Sequence, residues 1–287
     1  MPLNSYLGIC AHAKINWCLA VTGRTANGYH LLDMLMQRVS ICDTLYAAPA
    51  KGLCLRVLGQ PIGGAQENNL VLRAALALHE YAPGAGARLT LTKRIPQGAG
   101  LGGGSSDAAA ALKLLNRLWR LNLSRETLRS IALRLGADVP FFLDGFPARV
   151  QGIGEQLTPV PLPGDVPLVL VKDTPGLNTG LVYRRSDETP YPPIDVPGLL
   201  ESLRGRQIRE AACKADNALY PAAVSLSPRL DTIKRAVEAS GALYTQMTGS
   251  GAVIYGVYSS DAQAGQAARK LRSMLPDAYI SCARTIS

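Results

Sequence analysis

Apolar and polar residues alternate near the start of the chain. From Ile9 to Val21 every second residue is apolar, and the positions between them include His12, Lys14 and Asn16. Because successive side chains of a β-strand point to opposite faces, a period of two predicts a strand. This strand places Lys14 and Asn16 together on its polar face.

Further patterns predict two strands and two helices. Segments 53–59 and 87–95 carry alternating apolar residues typical of strands. The alanine-rich run 108–119 predicts a helix, which Ser105 or Ser106 is suited to cap. The other helix, RETLRSIALRL, should begin after Ser124 and end at a left-handed Gly136; Asp138 and Pro140 follow, at what we expect to be a helix-to-strand junction.

The composition and the pattern of apolar residues change past about residue 155. A proline-rich segment leads into the apolar strand pattern LVLV, and later segments alternate between strand and helix patterns. Antiparallel pairing around the Thr-Gly-Ser-Gly segment would complete a second α+β unit. The sequence therefore predicts two domains, at residues 1–155 and 156–287.

Composition narrows the class of protein. The chain has 287 residues, 47% of them hydrophobic and 18% charged, with no signal peptide and no apolar stretch long enough to span a membrane, so we expect a cytoplasmic protein. Its six cysteines form no C-x-x-C pair and should be reduced and mostly buried. The net charge of +9 suits polyanionic ligands without choosing among nucleotide, phosphorylated metabolite and nucleic acid.

The strongest candidate for chemistry is a glycine-rich segment, PQGAGLGGGSS, directly ahead of the alanine-rich helix. Glycine lets backbone N–H groups approach a ligand, and the helix start adds a positive dipole end, which together predict a phosphate site. No Lys-Ser or Lys-Thr pair follows, so the segment is not a Walker A loop and its lysine must come from elsewhere. The segment comprises Pro96, Gln97, Gly98, Ala99, Gly100, Leu101, Gly102, Gly103, Gly104, Ser105 and Ser106.

Other interpretations of this segment remain open on the residues alone. Gly98, Gly100 and Gly103 also fit the G-x-G-x-x-G pattern of nicotinamide-dependent oxidoreductases, although an acidic residue should then close a strand about 20 residues later, where LSRETL opens a helix. A purely structural turn is another alternative for the segment. Separately, the net charge of +9 leaves open a non-enzymatic basic nucleotide- or RNA-binding protein. Cys10 and His12 lack a second ligand pair, so a zinc site is not expected.

Taken together, the motifs resemble the GHMP kinase superfamily. The resemblance implies an α+β fold in which an N-terminal ribosomal protein S5 domain 2-like domain binds ATP and a C-terminal domain is a ferredoxin-like α/β sandwich. The matching motifs are AKIN at 13–16, GYH at 28–30, NLVLRAA at 69–75, PQGAGLGGGSSDAA at 96–109, GADVPFF at 136–142 and MTGSGA at 247–252.

The motifs are most similar to those of the members that phosphorylate the 2-hydroxyl of 4-diphosphocytidyl-2-C-methyl-D-erythritol with ATP, in the non-mevalonate pathway. A homoserine or mevalonate type of kinase is the alternative within the superfamily. The resemblance implies a small-molecule substrate, Mg²⁺ arriving with ATP, no nucleic-acid or membrane partner, and a monomer or homodimer. Ser106 is the side chain expected to contact the metal, if any does.

The resemblance also assigns residues. Lys14 and Asp138 match the catalytic pair, the glycine-rich segment matches the ATP-binding loop, and Asn69 and Lys93 match positions near the adenosine. The acceptor would contact Asn16, Tyr29, His30, Tyr183, Thr248, Gly249, Ser250 and Gly251. Ala218 stands where an acidic residue is frequent, which leaves the roles of Asp216 and Asn217 open.

Overall fold

The structure, a computed structural model, describes residues 6–60, 68–189 and 191–287. Its described residues fall into two compact units. The first contains residues 6–13, 41–60, 68–97 and 102–145, and the second contains residues 14–40, 98–101, 146–189 and 191–287. Two long, mutually paired strands, β1 (Leu7–Arg24) and β2 (His30–Ala50), contribute residues to both units.

The first unit combines a few strands with a group of helices. Strand β4 (Gly86–Lys93) pairs antiparallel with Thr44–Ala50 of β2 and parallel with β3 (Leu53–Gly59). Four helices pack against one another, and small buried alanines at residues 108–111 allow this close contact. They are α1 (Leu70–Leu78), α2 (Gly103–Leu118), α3 (Arg125–Leu135) and α4 (Val139–Asp144).

The second unit holds a four-stranded antiparallel sheet in the order β10-β7-β9-β8. Helices α9 and α10 pack on this sheet, so its strand order and its βαββαβ frame match the ferredoxin-like arrangement. The elements are β7 (Pro167–Lys172), α9 (Arg229–Ala239), β8 (Tyr244–Met247), β9 (Ile254–Val257), α10 (Asp261–Met274) and β10 (Tyr279–Arg284).

The remaining elements of this unit lie on both sides of β7 in the sequence. Strand β5 (Ala148–Gly152) pairs antiparallel with the first part of β2, and β6 (Gln156–Pro159) pairs antiparallel with β5. Four short helices connect β7 to α9: α5 (Thr179–Ser186), α6 (Val196–Arg204), α7 (Ile208–Lys214) and α8 (Tyr220–Leu226).

Several local expectations hold and others are wrong. Ser124 caps α3 as predicted, accepting from the backbone N–H of Thr127. Neither Ser105 nor Ser106 caps α2, because the helix begins earlier, after a left-handed Gly102 with φ of 69°. Gly136 is extended, with φ of 165°, rather than left-handed.

Asp138 and the cysteines also differ from expectation. Asp138 precedes the short helix α4 rather than a strand, because Pro140 falls in the first helical turn, where the missing N–H costs nothing. All six cysteines are free, but only Cys18 is buried, so the expectation of mostly buried thiols is wrong. Cys10 and Cys54 lie near the starts of β1 and β3, where buried and exposed positions alternate, and both occupy exposed positions.

Candidate functional site

The middle of the glycine-rich segment, residues 98–101, lies in the second unit. Gly98 and Gly100 are left-handed, with φ of 59° and 73°. A Cβ on Gly100 would lie 2.1 Å from the carbonyl oxygen of Thr248, so only glycine fits there. Backbone N–H groups of Ala252 and Val253 donate to the carbonyls of residues 98 and 99 at 3.3 and 3.1 Å.

The partner of this loop is the turn formed by Thr248–Gly251, which follows β8. Its own glycines, Gly249 and Gly251, are left-handed, with φ of 59° and 94°. The N–H of Gly251 donates to the carbonyl of Thr248 at 3.1 Å, and the hydroxyls of Ser250 and Thr179 lie 2.9 Å apart. The loop of residues 98–101 and this turn are thus packed against each other.

Lys14 lies beside both segments. Its backbone N–H donates to the carbonyl of Leu101 at 3.0 Å, and its Nζ donates to Oδ1 of Asn16 at 2.5 Å. The same Nζ lies 3.3 Å from the point where a Cβ on Gly249 would be. The structure therefore brings together Lys14, Asn16, the loop and the turn, which the sequence spreads over more than 200 positions.

The polar face of β1 is not solvent-exposed as its alternation suggested. Lys14 and Asn16 are only 4% and 1% exposed, because β1 is buried on both faces from residue 13 to residue 20. Thr248 contributes to this burial: its hydroxyl accepts from the N–H of Asn16 at 3.1 Å. Tyr255 donates its hydroxyl to the Asn16 carbonyl at 2.9 Å. These bonds satisfy a polar cluster that would otherwise destabilise the fold.

Three of the residues predicted to contact the acceptor, Tyr29, His30 and Tyr183, also lie in the second unit. The rings of His30 and Tyr183 have centroids 4.8 Å apart, and the Tyr29 side chain is 63% exposed. Nε2 of His30 lies 2.7 Å from Oδ1 of Asp187, which also pairs with Arg24. Burial lowers the pKa of His30, and the charge of Arg24 lowers it further. Aromatic and imidazole surfaces of this kind suit a flat heterocycle.

The rest of the glycine-rich segment belongs to the first unit. Pro96 is buried and Gln97 exposed, and residues 102–106 form the start of α2. No side chain of the described chain caps this helix start, and the buried Ser106 donates its backbone N–H to the Gly102 carbonyl at 2.9 Å. Uncapped first-turn amides are donors for an anion.

Three other predicted residues lie in the first unit. Asn69 caps α1, with its side chain accepting from the N–H of Val71 at 2.9 Å. Asp138 is half-buried at the start of α4. Lys93 ends β4 and is buried, so it cannot be an ordinary solvated lysine.

Lys93 lies between two buried carboxylates that the sequence did not single out as its partners. Its Nζ donates to Asp107 at 2.7 Å and to Asp43. Asp43 also accepts from the backbone N–H groups of Arg94 and Ile95 at 2.5 and 2.9 Å. Burial lowers the pKa of Lys93, but the two carboxylates outweigh burial and raise it overall.

Asp107 has the most perturbed carboxyl of this group. Burial raises its pKa to about 7; the charge of Lys93 opposes this rise and that of Asp43 adds to it. Its Oδ1 atom is buried without a hydrogen-bond partner among the described residues. We call Asp43, Lys93 and Asp107 the charged network.

Sequence reasoning missed Asp187 and Asp43. Asp187 lies 157 positions from His30, so no local spacing could connect them. Asp43 did carry a signal, because it is an acidic residue among apolar neighbours. In the part of the chain that is described, no group of three His, Cys, Asp or Glu side chains could hold a metal. No helix of that part is long and apolar enough to cross a membrane.

Comparison with known proteins identifies the family. The family models for "GHMP kinases N terminal domain" and "GHMP kinases C terminal" match residues 69–146 and 199–277. A 4-diphosphocytidyl-2-C-methyl-D-erythritol kinase from Paramagnetospirillum magneticum is 41% identical, covering 96% of this chain and 98% of the relative. The chain belongs to the 4-diphosphocytidyl-2-C-methyl-D-erythritol kinase family.

Other members of this kinase family agree. The Rhizobium leguminosarum bv. trifolii kinase is 40% identical over 96% of this chain and 94% of the relative. A crystal structure of 4-(cytidine 5'-diphospho)-2C-methyl-D-erythritol kinase superposes with a TM-score of 0.84 at 35% identity, covering 98% of this chain and all of that one. Homoserine kinase from Cytophaga hutchinsonii, at 18% identity and a TM-score of 0.76, shares the fold over the whole of this chain and 96% of its own.

Family membership confirms the predicted α+β GHMP fold and the kinase class. The kinase class implies that ATP is the phosphoryl donor. The G-x-G-x-x-G pattern at Gly98, Gly100 and Gly103 therefore lies within a GHMP kinase N-terminal domain, and the nicotinamide alternative is wrong.

Proposed function

We propose that this chain transfers the γ-phosphate of ATP to the 2-hydroxyl of 4-diphosphocytidyl-2-C-methyl-D-erythritol, releasing ADP, in the non-mevalonate route to isoprenoid precursors. The relatives named above carry this substrate in their names. The single structural observation that supports the proposal most is the buried Lys14 ammonium beside the loop of residues 98–101 and the Thr248–Gly251 turn.

Phosphoryl transfer depends mainly on positioning and on neutralising spread negative charge. We propose that Lys14 stabilises the charge on the transferring phosphoryl group, because its ammonium lies next to backbone segments rich in amide donors. Asp138 would accept or orient the proton of the attacking hydroxyl. Oxygen attack on phosphorus then breaks the bond to ADP, and the proton passes to the carboxylate.

The loop and the start of α2 are proposed to hold the ATP phosphates. The left-handed glycines and the uncapped first turn of α2 are features that phosphate-binding backbones use. Pro96, Gln97, Ser105 and Ser106 complete the segment, and Asn69 and Lys93 are assigned to the adenosine end. Each charged hydrogen bond to phosphate is worth about 1.5–3 kcal/mol.

Mg²⁺ is proposed to be bound together with ATP. The described residues offer hydroxyls and amides here rather than a cluster of carboxylates, which suits a metal held largely by phosphate oxygens and water. Ser106 is the side chain assigned to it. When bound, the ion neutralises phosphate charge.

At the acceptor end, the His30 group is proposed to bind the cytosine. Tyr29 and Tyr183 would contact the ring faces, and His30 would bond the base edge; burial and the charge of Arg24 lower its pKa, which favours the neutral imidazole. Asn16, Thr248, Gly249, Ser250 and Gly251 are assigned to the rest of the acceptor. The domain division at residue 155, the cytoplasmic location and the monomer or homodimer state also stay predictions.

The test is a substrate comparison with purified protein, ATP and Mg²⁺. We expect product formation with 4-diphosphocytidyl-2-C-methyl-D-erythritol and none above background with homoserine or mevalonate. Phosphorylation of either of those instead would place the chain in another branch of the superfamily. Tight, salt-sensitive RNA binding with no phosphorylated product would favour the binding-protein alternative.

A further inference from the structure

Asn217 is a fully buried polar residue to which the kinase resemblance gives no role. It lies between α7 and α8 in the second unit and is 0% exposed. A buried amide is costly unless its polar atoms are paired. What it pairs with therefore indicates what it is for.

Both polar atoms of the Asn217 side chain are hydrogen-bonded. Its Nδ2 donates to the carbonyl oxygens of Met247 and Gly249, at 2.9 and 2.8 Å. These carbonyls lie on either side of Thr248, at the start of the Thr248–Gly251 turn. Its Oδ1 accepts from the N–H of Leu219 at 2.9 Å. A carboxamide supplies the two donors and one acceptor that this position uses.

The backbone around Asn217 is bonded to β1. The N–H of Leu19 donates to the Asp216 carbonyl at 2.9 Å, and the N–H of Ala218 donates to the Leu19 carbonyl at 2.8 Å. Asn217 therefore connects the turn, through its side chain, to the strand that carries Lys14 and Asn16. The connection consists of four short bonds with no exposed atom in Asn217.

Asp216 fixes the same segment from its other side. Its carboxylate accepts from the N–H of Asn217 at 2.8 Å and from the hydroxyl of Tyr191. The Gln246 amide lies 3.4 Å from the same carboxylate. These bonds fix the position of the segment that carries Asn217.

We propose that Asn217 is a positioning residue for phosphoryl transfer, holding the Thr248–Gly251 turn in register with β1. The Thr248 hydroxyl of this turn donates to the Gly100 carbonyl at 3.3 Å, and Gly249 lies beside the Lys14 ammonium. The two residues directly after the turn donate to the carbonyls of residues 98 and 99. Displacing the turn would move the loop relative to Lys14, and small misplacements cost large factors in rate. The catalytic part of this inference rests on the proposed function, whereas the structural part does not.

The main test uses Asn217→Ser. A serine hydroxyl can still accept from the N–H two residues on, but it cannot reach both carbonyls. We expect kcat at saturating substrates to fall at least about tenfold. Hydrogen exchange at Gly251, Ala252 and Val253 should be faster than in the unmodified protein.

The matched control is Ile233→Val, in the buried core of the same unit on α9. It should lower the melting temperature while kcat stays within twofold and exchange at residues 251–253 is unchanged. A kcat of Asn217→Ser within twofold of the unmodified protein would overturn the inference. So would a loss in Ile233→Val as large as that in Asn217→Ser.

If Asn217→Ser does not fold, Tyr191→Phe tests the same connection. It removes one hydroxyl from Asp216 and leaves Asn217 in place. We expect faster exchange at residues 251–253 and a two- to fivefold lower kcat, and unchanged exchange would overturn the inference. An unmodified protein inactive on the proposed acceptor would contradict the proposed function alone, because the exchange measurement does not depend on turnover.

Discussion

The two units each contain a buried polar network. In the first unit opposite charges are paired, whereas in the second amides and hydroxyls lie around the Lys14 ammonium. In the first unit the charged network joins Lys93 to the carboxylates of Asp43 and Asp107. In the second unit, amides and hydroxyls around the turn form a network through Asn217, Thr248 and Tyr255; we call it the amide network.

The difference is one of energetics. A buried ion network is sensitive to pH and to removal of any one partner, because an uncompensated charge then stays buried. Each hydrogen bond of an amide and hydroxyl network contributes about 1 kcal/mol to stability. These groups do not titrate near pH 7, and the directionality of their hydrogen bonds fixes the positions of the residues that they join. We infer that the charged network mainly holds the ends of β4 and α2 together, whereas the amide network sets the geometry beside Lys14.

The largest effect should come from Lys93→Met. It leaves the carboxylates of Asp43 and Asp107 buried together, which should lower the free energy of unfolding by about 3–5 kcal/mol. Denaturant unfolding at pH 7 measures this. Lys270→Met, at an exposed lysine that donates to a carbonyl of α9, should change stability by no more than about 0.5 kcal/mol. A loss below about 1 kcal/mol in Lys93→Met would show that the charged network is not structural.

A backbone contact should come next. Gly100→Ala places a Cβ 2.1 Å from the Thr248 carbonyl oxygen at a φ of 73°. We expect a loss of about 2 kcal/mol or more, since neither strain nor contact can relax without moving the turn. The control Gly265→Ala, in α10, places a Cβ in ordinary contact with the Arg269 side chain at 3.8 Å and should instead stabilise the protein by up to about 1 kcal/mol. Equal melting temperatures for the two variants would contradict the contact.

The pH dependence separates the networks directly. The folded-state pKa of Asp107 is raised to about 7, above its ordinary value, so the folded state binds more protons than the unfolded state between about pH 4 and 7. Stability from this carboxyl is therefore present at low pH and is lost as pH rises through 7. Between pH 5 and 7, the free energy of unfolding should therefore fall by roughly 1–2 kcal/mol less in Asp107→Asn than in the unmodified protein. Unfolding curves with the same pH slope in both proteins would refute the shift.

The smallest effect concerns the amide network. Tyr255→Phe removes the hydroxyl bonded to the Asn16 carbonyl and should cost about 1 kcal/mol. Burial raises the pKa of Tyr255 well above its ordinary value, so this cost should be the same from pH 5 to pH 8. A cost that varies with pH over that range would show that charge also governs this network.

Local patterns predicted much of the fold. The period of two in β1, the alanine-rich α2 and the serine cap of α3 each depend on neighbouring residues, and each is present. The 21-residue strand β2 was not predicted, because its apolar residues do not keep a period of two along its length. The serine cap of α2 was wrong because a left-handed glycine starts the helix first.

The candidate site was predictable in its residues but not in its environment. The motifs predict Lys14 and the glycine segments as site residues, yet the burial of Lys14 depends on other parts of the chain covering both faces of β1. The partners of Lys93, His30 and Asn217 come from distant parts of the chain. Their pairing depends on sheet register and on the positions of loops. Local sequence patterns do not predict either of these.

The most direct test of the account is kcat of Lys14→Ala with ATP, Mg²⁺ and 4-diphosphocytidyl-2-C-methyl-D-erythritol, measured beside Asp138→Asn. Both variants should fold and should lose at least about a hundredfold in kcat, since each removes a group acting on the reacting atoms. Near-normal turnover in a folded Lys14→Ala variant would contradict the central claim.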